Sequence, residues 1–316
     1  MKKVLKLIGI WLLAIIVIVG AVLLYISIDG IPTYEVEKIE YQAISTPEAI
    51  ERGEKLTVML CATCHMNAET RKLSGLKMVD APPEFGEVYA PNITQDKKYG
   101  IASWSDAELL YLLRTGIKRD GLYSPPYMMK LPNMADEDIN AIIAFLKSDH
   151  SMVTADATPD VPTKPSLLTK ILCRVSFKPF PMPIQKIKLP SSEDKVALGK
   201  YLAHNLDCFS CHSADFKTVD YLDPTLSEGY FGGGNKPLDL NGNVVLSSNL
   251  TPDKETGIGT WTTDKFIKAV KYGIIDNEKA LKYPMIPYSQ LTDDEASAIF
   301  EYLKTIPEIT NKVNVQ

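Results

Sequence analysis

The sequence predicts an all-α protein in which two tandem copies of a small helical unit follow one transmembrane helix. Three observations carry that prediction. Leu7 to Ile28 is a run of 22 residues without a charge, close to the N-terminus. Pro91-Asn-Ile-Thr-Gln-Asp-Lys-Lys-Tyr-Gly-Ile-Ala-Ser-Trp104 aligns without a gap with Ser248-Asn-Leu-Thr-Pro-Asp-Lys-Glu-Thr-Gly-Ile-Gly-Thr-Trp261, at an offset of 157 residues. Each copy also carries helix-start residues followed by apolar side chains at helical spacing.

Taken in order, residues 1–30 form the anchor. About 20 apolar residues cross a bilayer, and Lys2, Lys3 and Lys6 ahead of the run place the N-terminus in the cytoplasm and the rest outside. A cleaved signal peptide would have an apolar core of about 7–15 residues and a small-x-small cleavage site. This run is longer and leaves through Leu23, Leu24, Tyr25 and Ile26, so an uncleaved membrane anchor over residues 7–28 is expected. A linker, 31–45, leads to the first unit, 46–150. There Thr46-Pro47 starts a helix, Ser105-Asp-Ala-Glu108 is a capping box, and Ile139, Ile142, Ile143 and Leu146 form a stripe.

Residues 151–190 hold seven of the 21 prolines and read as an extended strap. Within it Leu167, Leu168, Ile171, Leu172 and Val175 lie along one helical face, expected to pack on the two units in preference to touching anionic lipid. Cys173, on the same stretch, is expected to be buried and inert. The second unit, 191–308, starts a helix at Ser191-Ser192-Glu193 and carries a capping box at Thr292-Asp-Asp-Glu295, with Ile299, Phe300 and Leu303 behind it. Residues 309–316 are a tail.

The formal net charge of −5 argues against a nucleic-acid partner. It is unevenly spread, with +2 in residues 1–30, +6 in residues 161–190 and −13 in the remainder. An acidic body with a basic strip bears on docking and on membrane contact.

Four of the five cysteines fall in two C-x-x-C-H motifs, Cys61-Ala-Thr-Cys64-His65 and Cys208-Phe-Ser-Cys211-His212. In such a motif each thiol can bond one haem vinyl group, while the histidine ligates iron from the proximal side. A thioredoxin-like pair would call for a βαβ context and a zinc site for two more ligands nearby; neither is visible. Two covalently bound haem c groups are therefore expected, with His65 and His212 as metal ligands. The motifs are offset by 147 residues, so the second copy has ten extra residues before its repeat segment, around Gly229–Asn243, expected as a surface loop or hairpin.

The repeat also filters the ten methionines for a sixth iron ligand. Met128 and Met285 align at the 157 offset, each eight residues before an aspartate, Asp136 or Asp293. Met129 aligns with Ile286 and Met134 with Leu291, which reads as core, although Met129 stands one residue from Met128 and leaves that register open by one. His150 and His204 have no counterpart in the other copy; His204 reads as a surface polar residue.

With Phe85-Gly-Glu-Val-Tyr-Ala-Pro-Asn-Ile-Thr94 included, the repeat resembles the multi-haem cytochrome c subunits of membrane-bound alcohol and sugar dehydrogenases. It is also similar to two-domain cytochromes of respiratory chains. The resemblance covers about residues 45–150 and 190–308, and departs in having two haem motifs where those subunits typically carry a third. It implies two tandem cytochrome c domains, and it implies that Trp104, Arg114, Trp261 and Lys271 contact haem propionates.

The function this suggests is a relay of single electrons on the periplasmic face of the inner membrane. The donor would be a quinol-oxidising complex or a dehydrogenase, and the acceptor an oxidase or soluble carrier. The chain would be an electron carrier with redox-protein partners and no small-molecule substrate. A dihaem enzyme of the peroxidase kind, or a haem-based sensor, needs an open iron position, and the Met128/Met285 correspondence weighs against both.

Overall fold

The computed structural model describes residues 1–276 and 279–314. Helices take 39% of the residues, and the described strands are each only two or three residues long. The last two residues of the predicted tail, 315–316, lie outside the described residues.

Composition alone accounts for α1 (Lys2–Asp29), 28 residues with Ile26 as their one buried side chain. At about 1.5 Å per residue it is longer than a hydrocarbon core is thick. Such a surface of exposed leucine, isoleucine and valine is unfavourable in water and at ease in lipid.

The first copy contains α2 (Pro47–Leu60), α3 (Ala62–His65), α4 (Asp106–Thr115) and α5 (Asp136–Leu146). Thr46 Oγ1 accepts from the Ala49 amide at 3.1 Å, with Pro47 at the first helical position, where its missing N–H costs nothing. The Ser105–Glu108 capping box is reciprocal, and Gly116 ends α4 in the left-handed region at φ +82°. The linker before α2 is tied down by Ala43 N–H on Asp106 and by a two-way bond between Ile44 and Asn140.

The strap does not stand off as a spacer. β1 (Leu76–Lys77) pairs with β3 (Tyr89–Ala90), whereas β2 (Gly86–Glu87) pairs antiparallel with β4 (Lys164–Pro165), which belongs to the strap. Thr163 bonds both backbone groups of Tyr89. α6 (Leu167–Val175) follows, capped by Ser166, with Thr169 donating to the Phe85 carbonyl at 2.8 Å. On another face of α6, Lys170 donates to the Ser27 carbonyl at 2.8 Å, and Arg174 donates to the Gly30 carbonyl and pairs with Asp29. Helix ends leave carbonyls unpaired, and here a second element satisfies those at the end of α1. Cys173 is fully buried. α6 thus packs on the first copy and on α1, a narrower seat than packing on both units.

The second copy contains α7 (Lys195–Asn205), α8 (Cys208–His212), α9 (Thr263–Tyr272) and α10 (Asp293–Leu303), with β5 (Ile274–Asp276) paired to β6 (Lys279–Ala280). α7 starts later than Ser191-Ser192-Glu193, because Asp194 is the residue whose side chain caps it, accepting from Ala197 N–H at 3.0 Å. The inserted stretch divides in two. Phe231 and Gly232 lie buried beneath the repeat segment, while Asp239–Asn243 turns back on itself as an exposed hairpin tip bridged by Leu238 and Val244.

In both copies the helix before the haem motif crosses the C-terminal helix through a glycine. A Cβ on Gly53 would lie 1.9 Å from the Ala141 carbonyl oxygen, and one on Gly199 would lie 1.8 Å from that of Ala298. The core runs without a break across both copies.

Polar bonds reinforce that join. The Tyr201 hydroxyl donates to the buried Asp138 carboxylate at 2.5 Å and accepts from Ala135 N–H at 3.1 Å, while Arg52 pairs with the same carboxylate. Lys55 pairs with Glu295, and Asn133 donates to the Tyr221 and Leu222 carbonyls.

Candidate haem-attachment sites

Each C-x-x-C-H motif forms a short helix, so its two sulfurs and its imidazole issue from a single turn. α2 gives way to α3 at Cys61 in helical geometry. The second copy has one more residue between the crossing glycine and its first cysteine, and Asp207 absorbs it in the left-handed region at φ +61°. All four thiols are free of disulfides. Burial raises each of them: Cys61, Cys208 and Cys211 to about 12, with Cys64 or Asp207 adding to it, and Cys64 to about 11, with Asp80 adding to it. A reactive dithiol or a thiolate metal site needs the opposite shift, and no cluster of three metal-binding side chains is found among the described residues.

The histidines are prepared for one role. His65 Nδ1 donates to the Pro91 carbonyl and His212 Nδ1 to the Ser248 carbonyl, each at 2.8 Å. A carbonyl can only accept, so the proton sits on Nδ1 and the Nε2 lone pair is left for a ligand. Burial lowers both pKa values, against the effect of the carbonyl bond, and favours the neutral ring that a metal requires.

Pro91 and Ser248 open the two repeat segments, which gives the repeat a physical purpose. Behind each acceptor an asparagine braces the loop. Asn92 Oδ1 accepts from Thr94 N–H and Oγ1–H, while its Nδ2 donates to the Asp156 and Thr158 carbonyls of the strap. Asn249 does the same with Thr251, its Nδ2 reaching Ile309 O in the tail and Thr256 Oγ1. These acceptors and braces escaped the sequence reading, although the signal, Asn-x-Thr in both copies, lay inside the alignment.

The methionine loops are also alike. Met128 N–H donates to Pro125 O and Met285 N–H to Lys282 O, both at 3.1 Å; Leu131 and Tyr288 then bond the carbonyls of Leu113 and Val270. Met128 and Met285 are half-buried against the core, and the Ser124 hydroxyl lies 3.5 Å from Met128 Sδ. Met129, half-buried against the same core, also lines a crevice toward the second copy with His204, Asp207, Phe209 and Tyr221. Met134 and Leu291 are core.

The cations hold the ends of these loops. Arg114, 1% exposed, donates to the carbonyls of Leu131, Pro132 and Met134 and pairs with Asp136 at 2.7 Å. Lys271 pairs with Asp293, the equivalent aspartate. The structure commits both to anchoring the end of the methionine loop, because a buried cation must have acceptors at hand. Trp104 and Trp261 are half-buried against the core, with Arg119 and Lys265 over their rings.

His204 differs from expectation. Its Nε2 meets the Tyr230 hydroxyl, which bonds Tyr302 at 2.6 Å, and rings of Phe209, Tyr230 and Tyr302 surround it. Burial, with Lys200 adding to it, pushes its pKa down to about 4.

Tyr283, just ahead of Met285, reaches across to the first copy, its hydroxyl donating to Asp80 at 2.5 Å. Burial raises the pKa of this phenol, and Asp80 raises it further.

Half-buried, neutral thiols beside an imidazole with one nitrogen tied and the other available define a protein that holds haem covalently. The chain belongs to the cytochrome c family, whose model, described as "Cytochrome c", matches residues 50–149 and 196–307. It is 27% identical over 277 residues to the "Alcohol dehydrogenase (quinone), cytochrome c subunit" of Gluconobacter oxydans (strain 621H), covering 84% of this chain and 56% of that one. It is 28% identical over 272 residues to the "Gluconate 2-dehydrogenase cytochrome c subunit" of Pantoea cypripedii, covering 81% and 59%. It is 27% identical over 267 residues to the "Diheme cytochrome c-type" of Cereibacter sphaeroides, covering 79% and 82%. The chain thus spans little more than half the length of the dehydrogenase subunits it matches.

Proposed function

We propose that this chain is a membrane-anchored dihaem cytochrome c that relays single electrons on the periplasmic face of the inner membrane. On this reading α1 is a single-pass anchor with its N-terminus in the cytoplasm, and two all-helical cytochrome c domains, 46–150 and 191–308, stand outside. Electrons would come from a dehydrogenase or quinol-oxidising complex and leave to an oxidase or soluble carrier. The observation that carries the reading is the doubled site: two histidines, each with Nδ1 held by an equivalent carbonyl.

Bound haem supplies a one-electron iron couple. The chain's residues do the rest. Cys61 and Cys64, and Cys208 and Cys211, would hold the two groups; His65 and His212 would offer Nε2, and Met128 and Met285 a thioether, a donor that would raise the potential. The turn of Met129 toward the second copy, and the Ser124 hydroxyl on Met128, favour Met128 over its neighbour. Arg114 and Lys271 hold the ends of those loops.

Denatured chain should retain two haems through acid-acetone extraction, and Cys61→Ala or Cys208→Ala should each disturb one attachment. In the native protein, the red-end absorption band of Met–iron(III) bonding should halve in Met285→Ala and vanish when Met128→Ala is added. Carbon monoxide binding by the untreated protein, with peroxide turnover, would replace the relay with a dihaem enzyme. Co-purification from mild detergent identifies donor and acceptor.

A further inference from the structure

α6 has three faces with different surroundings. Thr169 and Cys173 are buried against the first copy, and Lys170 and Arg174 reach the end of α1. The third face carries Leu168, Ile171, Leu172 and Val175, spaced i, i+3, i+4, i+7, with Leu168 at 44% and Val175 at 70% exposure. An apolar stripe flanked by cations, exposed at both ends and half-buried between them, is the pattern of a helix lying in a membrane interface.

The depth of this helix follows from its contacts. The charge-free run of α1 ends at Ile28. Ser27, held by Lys170, is therefore just inside the apolar boundary, and Asp29 and Gly30, held by Arg174, are at it. Lysine and arginine at that level keep their stems in apolar surroundings and their charges among headgroups. Residues 161–190 contain six cations and no acid, in a chain whose net charge is −5, and Lys178, Lys186 and Lys188 are exposed.

We propose that α6 lies in the outer leaflet beside α1, with the Leu168–Val175 stripe among the acyl chains and the strap's cations on anionic phospholipid headgroups. This rests on the reading of α1 as a membrane anchor. Such a second contact would fix the tilt of the first copy over the bilayer, which a single helix followed by a linker would leave free.

The test uses the full-length protein in nanodiscs of phosphatidylcholine with phosphatidylglycerol. A diazirine amino acid replaces Leu168, Val175, Ile18 or Val244 in turn, and photoproducts are identified by mass spectrometry. Positions 168 and 175 should give phospholipid adducts richer in phosphatidylglycerol than the bulk mixture by about fivefold, the scale of one cation near an anionic surface. Position 244, on the exposed hairpin, should give the water product. Lipid adducts at 18 with only the water product at 175 would overturn the proposal and leave the anchor standing. Adducts at 175 in the bulk lipid ratio would remove the headgroup contact. The absence of lipid adducts at 18 would sink the anchor reading, and this inference with it.

Discussion

At the scale of single residues, the site is built by tying one nitrogen so that the other is available. That tie is only as firm as the loop that carries its acceptor, and Asn92 and Asn249 brace that loop. Asn92→Ala removes two bonds accepted and two donated. At about 0.5–1.5 kcal/mol net per bond, some of them replaceable by water, we expect a loss of about 2–4 kcal/mol in chemical denaturation. Covalent haem content should be unchanged, because thioethers do not depend on the brace. His204 gives a pH prediction. Its folded pKa of about 4 lies below the ordinary value of 6.5, so as pH falls from 6.5 to 4 the unfolded chain takes up a proton that the folded chain refuses, and stability falls. Above 6.5 the effect is absent. Unfolding free energies of the native protein and His204→Gln, measured from pH 4 to 7, should show a difference that shrinks steadily with falling pH; a constant difference would mean the ring protonates in place.

At the scale of elements, both copies depend on a glycine where two helices cross. Gly53→Ala and Gly199→Ala each drive a methyl group into backbone, at 1.9 and 1.8 Å from a carbonyl oxygen, and backbone cannot step aside as a flexible side chain can. We expect each to cost at least about 1–3 kcal/mol, the usual range for overpacking, and a midpoint within error of the unaltered protein would show that the helices separate freely. Neither glycine was legible from sequence, where a glycine within a helix registers only as a propensity cost. Its meaning lies in the facing helix, more than 85 residues away. Features encoded locally were legible: the capping boxes at Ser105 and Thr292, the attachment motifs, and the equivalence of the methionine loops. What escaped depends on distant partners. His204 looked exposed until Tyr230 and Tyr302 closed over it, and Arg114 gave no sign of its carbonyl acceptors until residues 131–136 folded back onto it. The strap's prolines spoke of extension and were silent about pairing with Gly86–Glu87.

At the scale of the whole molecule, a relay between two fixed sites requires the copies to hold their separation, since electron tunnelling weakens steeply with distance. The structure meets that need with a continuous core and a buried polar join at Asp138, 1% exposed, which takes the Tyr201 hydroxyl on one oxygen and Arg52 on the other. The wild-type chain should therefore unfold outside the membrane in one cooperative transition. Tyr201→Phe keeps the ring and deletes the hydroxyl, leaving both an Asp138 oxygen and the Ala135 N–H without their partner. Each orphaned buried group costs about 1–3 kcal/mol, so the loss should be well beyond that of an exposed pair such as Lys195–Asp294, worth about 0–1 kcal/mol. In a double-mutant cycle with Asp138→Asn, the two changes should couple strongly, because they remove the same bond. Calorimetry should show the melt of Tyr201→Phe broadening or splitting as the copies lose their common fate. If it melts where the wild type does, in one sharp step, the join at Asp138 does not hold the copies together and apolar packing alone sets their spacing.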